Sequence, residues 1–264
     1  MKNNRPELNN PMEGKRVRFV EDASYPPNAD GVCGYLEAVG DSDKARSFYD
    51  RFVKRLFDLA MSAAGLVILS PVFVILCIAV LIDDPGPVFF KQKRVGLNKS
   101  FFYLHKFRTM KMSTPHDKPT HMLENPAQYI TGVGGFLRKH SLDELPQLWD
   151  IFVSNMSVIG PRPALFNQDL LTAERDKYNA NDIKPGLTGW AQINGRDELE
   201  IPEKARFDGV YAEKLFEGGM TAFLFDCRCF FGTAFSVARA EGVVEGGTGA
   251  IAAEGESEPD EKES

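Results

Sequence analysis

Between Leu59 and Ile82 the chain places 24 residues in a row without a charge, closed by Asp58 on one side and by Asp83-Asp84 on the other. About 20 apolar residues in a helix cover a bilayer core of ~30 Å, so the run is long enough for a transmembrane helix. Ser70-Pro71 stands at its middle, with eleven residues on either side. Proline has no N–H to give to the carbonyl of Val67, and its ring clashes with that carbonyl. The Ser70 hydroxyl can bond back to a freed carbonyl, so a break here need not leave bare polar groups in lipid. Each half, at ~1.5 Å per residue, then reaches only ~17 Å, and the segment enters about halfway and returns.

The flanks bear on the choice. Arg51, Lys54 and Arg55 precede the run, and Lys91, Lys93 and Arg94 follow it. A spanning helix usually carries its Lys/Arg excess on the cytoplasmic side alone, whereas here both ends prefer the same side. A kinked but spanning helix stays open beside the re-entrant one, because proline is tolerated in such helices. The length argues against a soluble core helix. A start near residue 59, without a small-residue cleavage pattern, argues against a signal peptide.

The periodic signal fades at both ends of the chain. Residues 1–48 lack a sustained pattern and contain the turn-like YPPNADG, so they are expected to form a flexible arm. Residues 241–264 are rich in Gly, Ala, Glu and Ser and are expected to be a disordered acidic tail. That tail holds eight acids and one lysine, a net of −7, so the rest of the chain sums to +1 against −6 overall. The body is therefore 49–240, with the broken helix at about 52–82. From Pro85 to His116 it carries seven Lys or Arg and no acid, interleaved with Phe89, Phe90, Phe101, Phe102 and Tyr103. Next to an apolar segment, such a patch suits anionic head groups or an anionic substrate. Nucleic acid is the other use of basic-plus-aromatic sequence, and the apolar run counts against it. The cysteines, Cys33, Cys77, Cys227 and Cys229, have neither zinc nor thioredoxin spacing, and the chain reads as cytoplasm-facing.

Four stretches carry candidate chemistry. In LRKHSLDELPQLWD (137–150), Ser141 and Glu144 form an S-x-x-E capping box that would open a helix through Leu145, Leu148 and Trp149. Asp143 would then sit in the first turn, where the helix dipole favours an ionised carboxylate able to act as nucleophile or Mg²⁺ ligand. In SVIGPRPALF (157–166), Pro161 and Pro163 fix the backbone around Arg162, either as a surface turn or as a planar fork held ready for phosphate. In KPGLTGWAQINGR (184–196), turn signals bracket a short hairpin or loop, and glycines beside Trp190, Gln192 and Arg196 would let a ligand approach the backbone. HKFRTMKM (105–112) gathers Lys106 and Arg108 on a strand surface or a phosphate site.

Together, and in this order after a Ser-Pro-broken apolar run, these stretches resemble the bacterial sugar transferase family, the monotopic phosphoglycosyl transferases of surface-glycan assembly. The match is carried by Ser70-Pro71, by Lys106 to Met110, and by Leu137-Arg138 leading into Ser141 to Leu148. Gly160-Pro161-Arg162-Pro163 and Pro185 to Gln192 follow, with weaker echoes at Asp208-x-x-Tyr211 and Asp226-x-Arg228. It covers roughly 50–235. Departures are Asp150, where the family often has Asn, and Ser154-Asn155, where it often has Gly-Asp.

The resemblance implies an α+β, mainly helical, monotopic membrane protein on the cytoplasmic face of the cell membrane, its N-terminal helix re-entrant at Ser70-Pro71. It implies transfer of a sugar-1-phosphate from a UDP-sugar to a polyprenyl phosphate, with UMP released through a covalent aspartyl-phosphosugar. Carried over, Asp143 is the nucleophile and Mg²⁺ neighbour and Glu144 its dyad partner. Arg138, Arg162, Lys106 and Arg108 are expected at the phosphates, and Pro161, Pro163, Gly189, Trp190 and Gln192 at the nucleotide or its loops. The expected partners are the UDP-sugar, the polyprenyl phosphate and membrane lipids, with no nucleic acid and with a homodimer left open. The competing reading is a non-catalytic membrane-attached scaffold of the same fold.

Overall fold

The computed structural model describes residues 6–114, 126–195 and 199–238; the acidic tail and Arg196 lie outside the described residues. The uncharged run folds as two helices. A π-helical turn, Tyr49–Val53, leads into α1 (Lys54–Ile68), and α2 (Ser70–Asp83) follows after a 61° bend. Ser70 Oγ donates at 2.8 Å to the carbonyl of Val67, which Pro71 leaves without its usual donor. Among the described residues no single helix is long and apolar enough to cross a membrane, and only the bent pair meets that length and composition together. Leu56, Val67, Ile68, Val74, Ile75 and Ile82 along the pair stay exposed.

The charges that bound the run fasten it to the rest of the protein. Asp58 accepts hydrogen bonds from Ser157 Oγ and Val158 N, both at 2.9 Å. Asp83 accepts from Val133 N at 2.8 Å, at the start of α3 (Gly132–Lys139). Asp84 accepts from Met112 N at 2.8 Å and pairs with Arg108 at 2.6 Å. Between these anchors, Leu76 and Val80 of α2 pack with Leu137 of α3 and with Phe107 of the next hairpin.

That hairpin is β3 (Phe89–Val95) and β4 (Phe101–Phe107), antiparallel, with Phe90 opposite Lys106 and Arg94 opposite Phe102. After α4 (Gln147–Phe152), β5 (Ser157–Ile159) pairs in parallel with β6 (Gly186–Thr188) across α5 (Asp169–Asp176). The short α6 (Trp190–Ile193), α7 (Ile201–Glu217) and α8 (Gly219–Ala238) complete the body. Ile151, Met156, Ile159, Ile183, Tyr211, Leu215 and Cys229 form the larger core. The architecture is α+β.

Asp226 is the hub of that core. It takes hydrogen bonds from Tyr49 Oη at 2.9 Å and Tyr211 Oη at 2.8 Å, and pairs with Lys54 at 3.1 Å. Asp208 is held by Arg175 at 2.7 Å. The Asp208-x-x-Tyr211 and Asp226 echoes are thus packing signals. Each satisfies a buried polar group that would otherwise cost on the order of 1–3 kcal/mol.

Residues 6–48, the described part of the expected flexible arm, depart from that expectation. They contain β1 (Lys15–Glu21) and β2 (Gly34–Asp41), an antiparallel hairpin with a register shift at Arg16/Val17. In KRVRFVE, Arg16 and Arg18 alternate with Val17 and Phe19, a strand pattern too brief to be sustained along the arm. Docking supplies what the pattern lacks: Val17 is buried, and Arg16 pairs with Asp182 at 2.7 Å.

Candidate active site

The Asp143-Glu144 pair sits on a 3₁₀ turn, Leu142–Glu144, between α3 and α4. The expected capping box does not form. Ser141 takes a left-handed backbone (φ 54°) as the chain leaves α3, and its side chain caps nothing. An N-cap needs extended dihedrals there, so only the Ser141 carbonyl meets Glu144 N, at 3.4 Å. The Glu144 side chain is drawn away by two cations, Lys106 Nζ at 2.8 Å and Arg162 Nη2 at 2.9 Å. Leu142 and Leu145, on either side of the pair, pack into the cluster around Leu76 and Val80 of α2. The pair is therefore seated against the hydrophobic cluster that α2 shares with α3 and β4.

The two carboxylates have opposite surroundings. Burial raises the Glu144 carboxyl, but Arg162 and Lys106 outweigh it and hold the group well below the usual carboxylate range. Asp143 is raised, first by burial and then by Glu144, against the pull of Lys106 and Arg138. Lys106 Nζ lies 3.8 Å from Asp143 Oδ2, beyond hydrogen-bond reach. Glu144 is thus engaged on its cations, while Asp143 keeps open lone pairs among them.

The predicted cations divide. Lys106 and Arg162 meet at Glu144. Arg138 Nε donates to Thr109 Oγ1 at 2.8 Å and lies near enough to act on Asp143. Arg108 is instead tied to Asp84 through its side chain and carbonyl, with its Nε sealed and unpaired. Arg94, read from sequence only as a flank, joins the cluster. It donates to Pro163 O at 2.8 Å and to Gln92 Oε1, and burial, with Arg162 beside it, pushes its guanidinium below its ordinary value. The two-residue period puts Arg94, Gln92 and Lys106 on one face of the hairpin.

Pro161 and Pro163 flank Arg162 as expected, but Gly189, expected to admit a ligand, meets backbone instead, as do Gly160 and Gly186. Gly160 N donates to Thr188 O at 2.7 Å, and Gly186 N to Pro161 O at 2.8 Å. A Cβ on Gly160 would lie 2.5 Å from Lys184 O, and one on Gly189 would lie 2.2 Å from Gly160 O. Backbone fills the space reserved for a ligand. Trp190 packs on Phe225 at 4.9 Å under the Arg228 guanidinium at 4.6 Å, facing α8. Gln192 lies against Gly189 with both amide atoms sealed and without a partner.

Residues 49–240 match the family described as bacterial sugar transferase. The chain belongs to the bacterial sugar transferase family. It is 38% identical over 176 residues to the UDP-glucose:undecaprenyl-phosphate glucose-1-phosphate transferase of Escherichia coli (strain K12), covering 64% of this chain and 38% of that protein. It is 40% identical over 162 residues to the uncharacterized sugar transferase EpsL of Bacillus subtilis (strain 168), covering 61% and 78%. With the exopolysaccharide production protein PSS of Rhizobium leguminosarum bv. phaseoli, identity is 32% over 196 residues, covering 71% and 96%. The chain therefore spans well under half of the Escherichia coli relative and nearly all of the Rhizobium one.

Among the sequence departures noted for this bacterial sugar transferase, Asp150 accepts both the backbone N–H of His105 at 2.9 Å and its ring Nδ1 at 2.8 Å, fastening α4 to β4 beside Lys106. Ser154, left-handed at φ 75°, accepts a hydrogen bond from Lys184 at 2.5 Å. Gly160→Ala is expected to drive a methyl into the Lys184 carbonyl, costing about 2 kcal/mol or more and lowering Tm by roughly 5 °C. An unchanged Tm in thermal unfolding would mean that the β5–β6 backbones stand farther apart.

Proposed function

We propose that this chain transfers a sugar-1-phosphate from a UDP-sugar to a polyprenyl phosphate, with Asp143 as the covalent nucleophile. The observation that carries the reading is the asymmetry of the dyad. Glu144 is fixed between Lys106 and Arg162, whereas the buried Asp143 stands beside Lys106 and Arg138, with Lys106 Nζ 3.8 Å away and beyond hydrogen-bond reach. Family membership and the relatives named for undecaprenyl-phosphate transfer support the same reaction class.

In the first step a carboxylate oxygen of Asp143 attacks the sugar-bearing phosphorus. The new O–P bond forms as the bond to UMP breaks, and UMP leaves with that electron pair. In the second step an oxygen of the polyprenyl phosphate attacks the same phosphorus and expels the Asp143 carboxylate, giving the polyprenyl-diphospho-sugar. A carboxylate and a phosphate oxygen each attack as anions, so the steps as written require no general base. The task is to bring like charges together, and stabilisation is therefore mainly electrostatic. Lys106, Arg138 and Arg162 supply fixed positive charge, and Arg162 offers a planar fork that a lysine lacks. Glu144 is a positioning residue here, since a carboxyl so strongly held in its ionised form is a poor proton carrier.

Among the described residues no three His, Cys, Asp or Glu side chains gather in metal-binding geometry. A Mg²⁺ bound through one carboxylate and substrate phosphates still fits the donor set, because Mg²⁺ commonly keeps several waters and few protein ligands. Asp143 would hold it, and the ion would neutralise diphosphate charge. We further read the α1–α2 pair as re-entrant, with its exposed apolar side chains in one leaflet and both basic flanks on the cytoplasmic face. The hydrophobic cluster that α2 shares with Leu142 and Leu145 supports this, since it links the apolar pair to the turn that carries Asp143.

UMP release from a panel of UDP-sugars, with Mg²⁺ and a polyprenyl phosphate, is expected with at least one donor. It should fall by ~10³-fold or more in Asp143→Asn, whose amide cannot form the acyl-phosphate. Wild-type rates in that variant would remove Asp143 as nucleophile. Release with no donor would favour the non-catalytic scaffold. Single cysteines near positions 51 and 91, probed in closed membranes with an impermeant thiol reagent, should both react from the cytoplasmic side. Labels on opposite sides would show a spanning helix.

A further inference from the structure

Residues 6–48 lie outside the stretch that matches the family, yet they are bonded to segments that carry the site's cations. At the β3–β4 turn, Gly14 N donates to Asn98 O at 2.9 Å and Asn10 Nδ2 to Lys99 O at 2.5 Å. At the end of α5, Val17 N donates to Asp176 Oδ2 at 2.7 Å, and Arg16 pairs with Asp182. At its start, Ala29 N donates to Asn167 O at 3.0 Å.

The fourth contact is the most specific. Asp30 Oδ2 accepts from Leu170 N at 2.9 Å and Leu171 N at 3.3 Å, and Oδ1 from Gln168 Nε2 at 3.3 Å. The first N–H groups of a helix need such acceptors. Gln168 stands at the N-cap of α5 but caps nothing, since its Oε1 is turned back to Leu165 N at 2.8 Å. A residue 140 positions from Leu170 does the capping instead.

The chain between Arg162 and α5 is thus suspended from two supports. On one side β3 holds it, through Arg94 on Pro163 O and Val95 N on Ala164 O at 2.9 Å. On the other side the N-terminal hairpin holds it, through Ala29 and Asp30. We propose that this hairpin is a positioning element of the active site: Asp30 fixes residues 163–171 and thereby keeps the Arg162 fork on Glu144 and facing the substrate phosphates. The proposal rests on the phosphate role given to Arg162 above. It makes the extension part of the catalytic apparatus of this chain rather than an independent appendage.

Two readouts on the full-length protein test it. In Asp30→Ala, the amides of Leu170, Leu171 and the preceding segment from Ala164 should exchange hydrogen roughly tenfold faster or more, while Val158 N, tied to Asp58, is unchanged. Asp30→Asn keeps an acceptor oxygen and should restore most of the protection. In UMP release, Asp30→Ala should lower kcat/KM by about 3- to 10-fold, but by less than about twofold once Arg162 is already Lys, because coupled residues are not additive. Unchanged exchange in 164–171, a rise spread over the whole core, or losses that simply multiply would each overturn the proposal. Absence of UMP release from the wild type would instead count against the proposed reaction, and the exchange comparison would still decide whether Asp30 holds the segment.

Discussion

The structure depends on one carboxylate held between two cations from distant parts of the chain. Glu144 receives Lys106 from the end of β4 and Arg162 from the loop after β5, so a strand, a turn and a loop converge on a single side chain. A part-buried ion pair adds little stability in itself, because desolvation offsets much of the attraction. Removing one member, however, leaves an uncompensated charge, which makes the arrangement a strong determinant of geometry. Asp143 then has its position set by its neighbour, and its own oxygens stay uncommitted.

The broken helix and the dyad are parts of one construction. Leu142 and Leu145 pack toward Leu76 and Val80, and Asp83 and Asp84 tie the far end of α2 to Val133 N, Met112 N and Arg108. The turn that carries Asp143 and the helix α2 thus share one hydrophobic cluster. In our reading, the depth at which the apolar pair sits fixes the height of the nucleophile above it. The acidic residues that close the uncharged run serve as fasteners, so the sharp ends of the run reflect attachment as well as hydrophobicity.

Much of this was legible in the sequence because it depends on local chemistry. Ser70-Pro71 marked the break, and the structure adds that the Ser70 hydroxyl satisfies the carbonyl that Pro71 orphans. What stayed hidden depends on partners far away in the chain. The S-x-x-E spacing at Ser141 looked like a cap, but Lys106 and Arg162 outbid Ser141 for Glu144. Gly189, beside Trp190, looked like room for a ligand, whereas it admits a second backbone, as do Gly160 and Gly186. Arg108 looked free for phosphate and is engaged by Asp84. Arg94 reads from sequence as a flanking charge of the apolar run, and only the hairpin register brings it beside Arg162. The N-terminal strands are short, one alternating Arg16 and Arg18 with Val17 and Phe19, and their docking on distant Asp176 and Asp182 is not written in local sequence.

The central claim is that Asp143 carries the phosphosugar during turnover, and the intact mass of the protein tests it most directly. Incubation with the accepted UDP-sugar and Mg²⁺, without a polyprenyl phosphate, should add the mass of one sugar phosphate, localised to the peptide containing Asp143. The adduct should disappear on addition of the lipid acceptor and be absent from Asp143→Asn. UMP release at wild-type rates with no adduct at any time, or an adduct on another residue, would contradict the account.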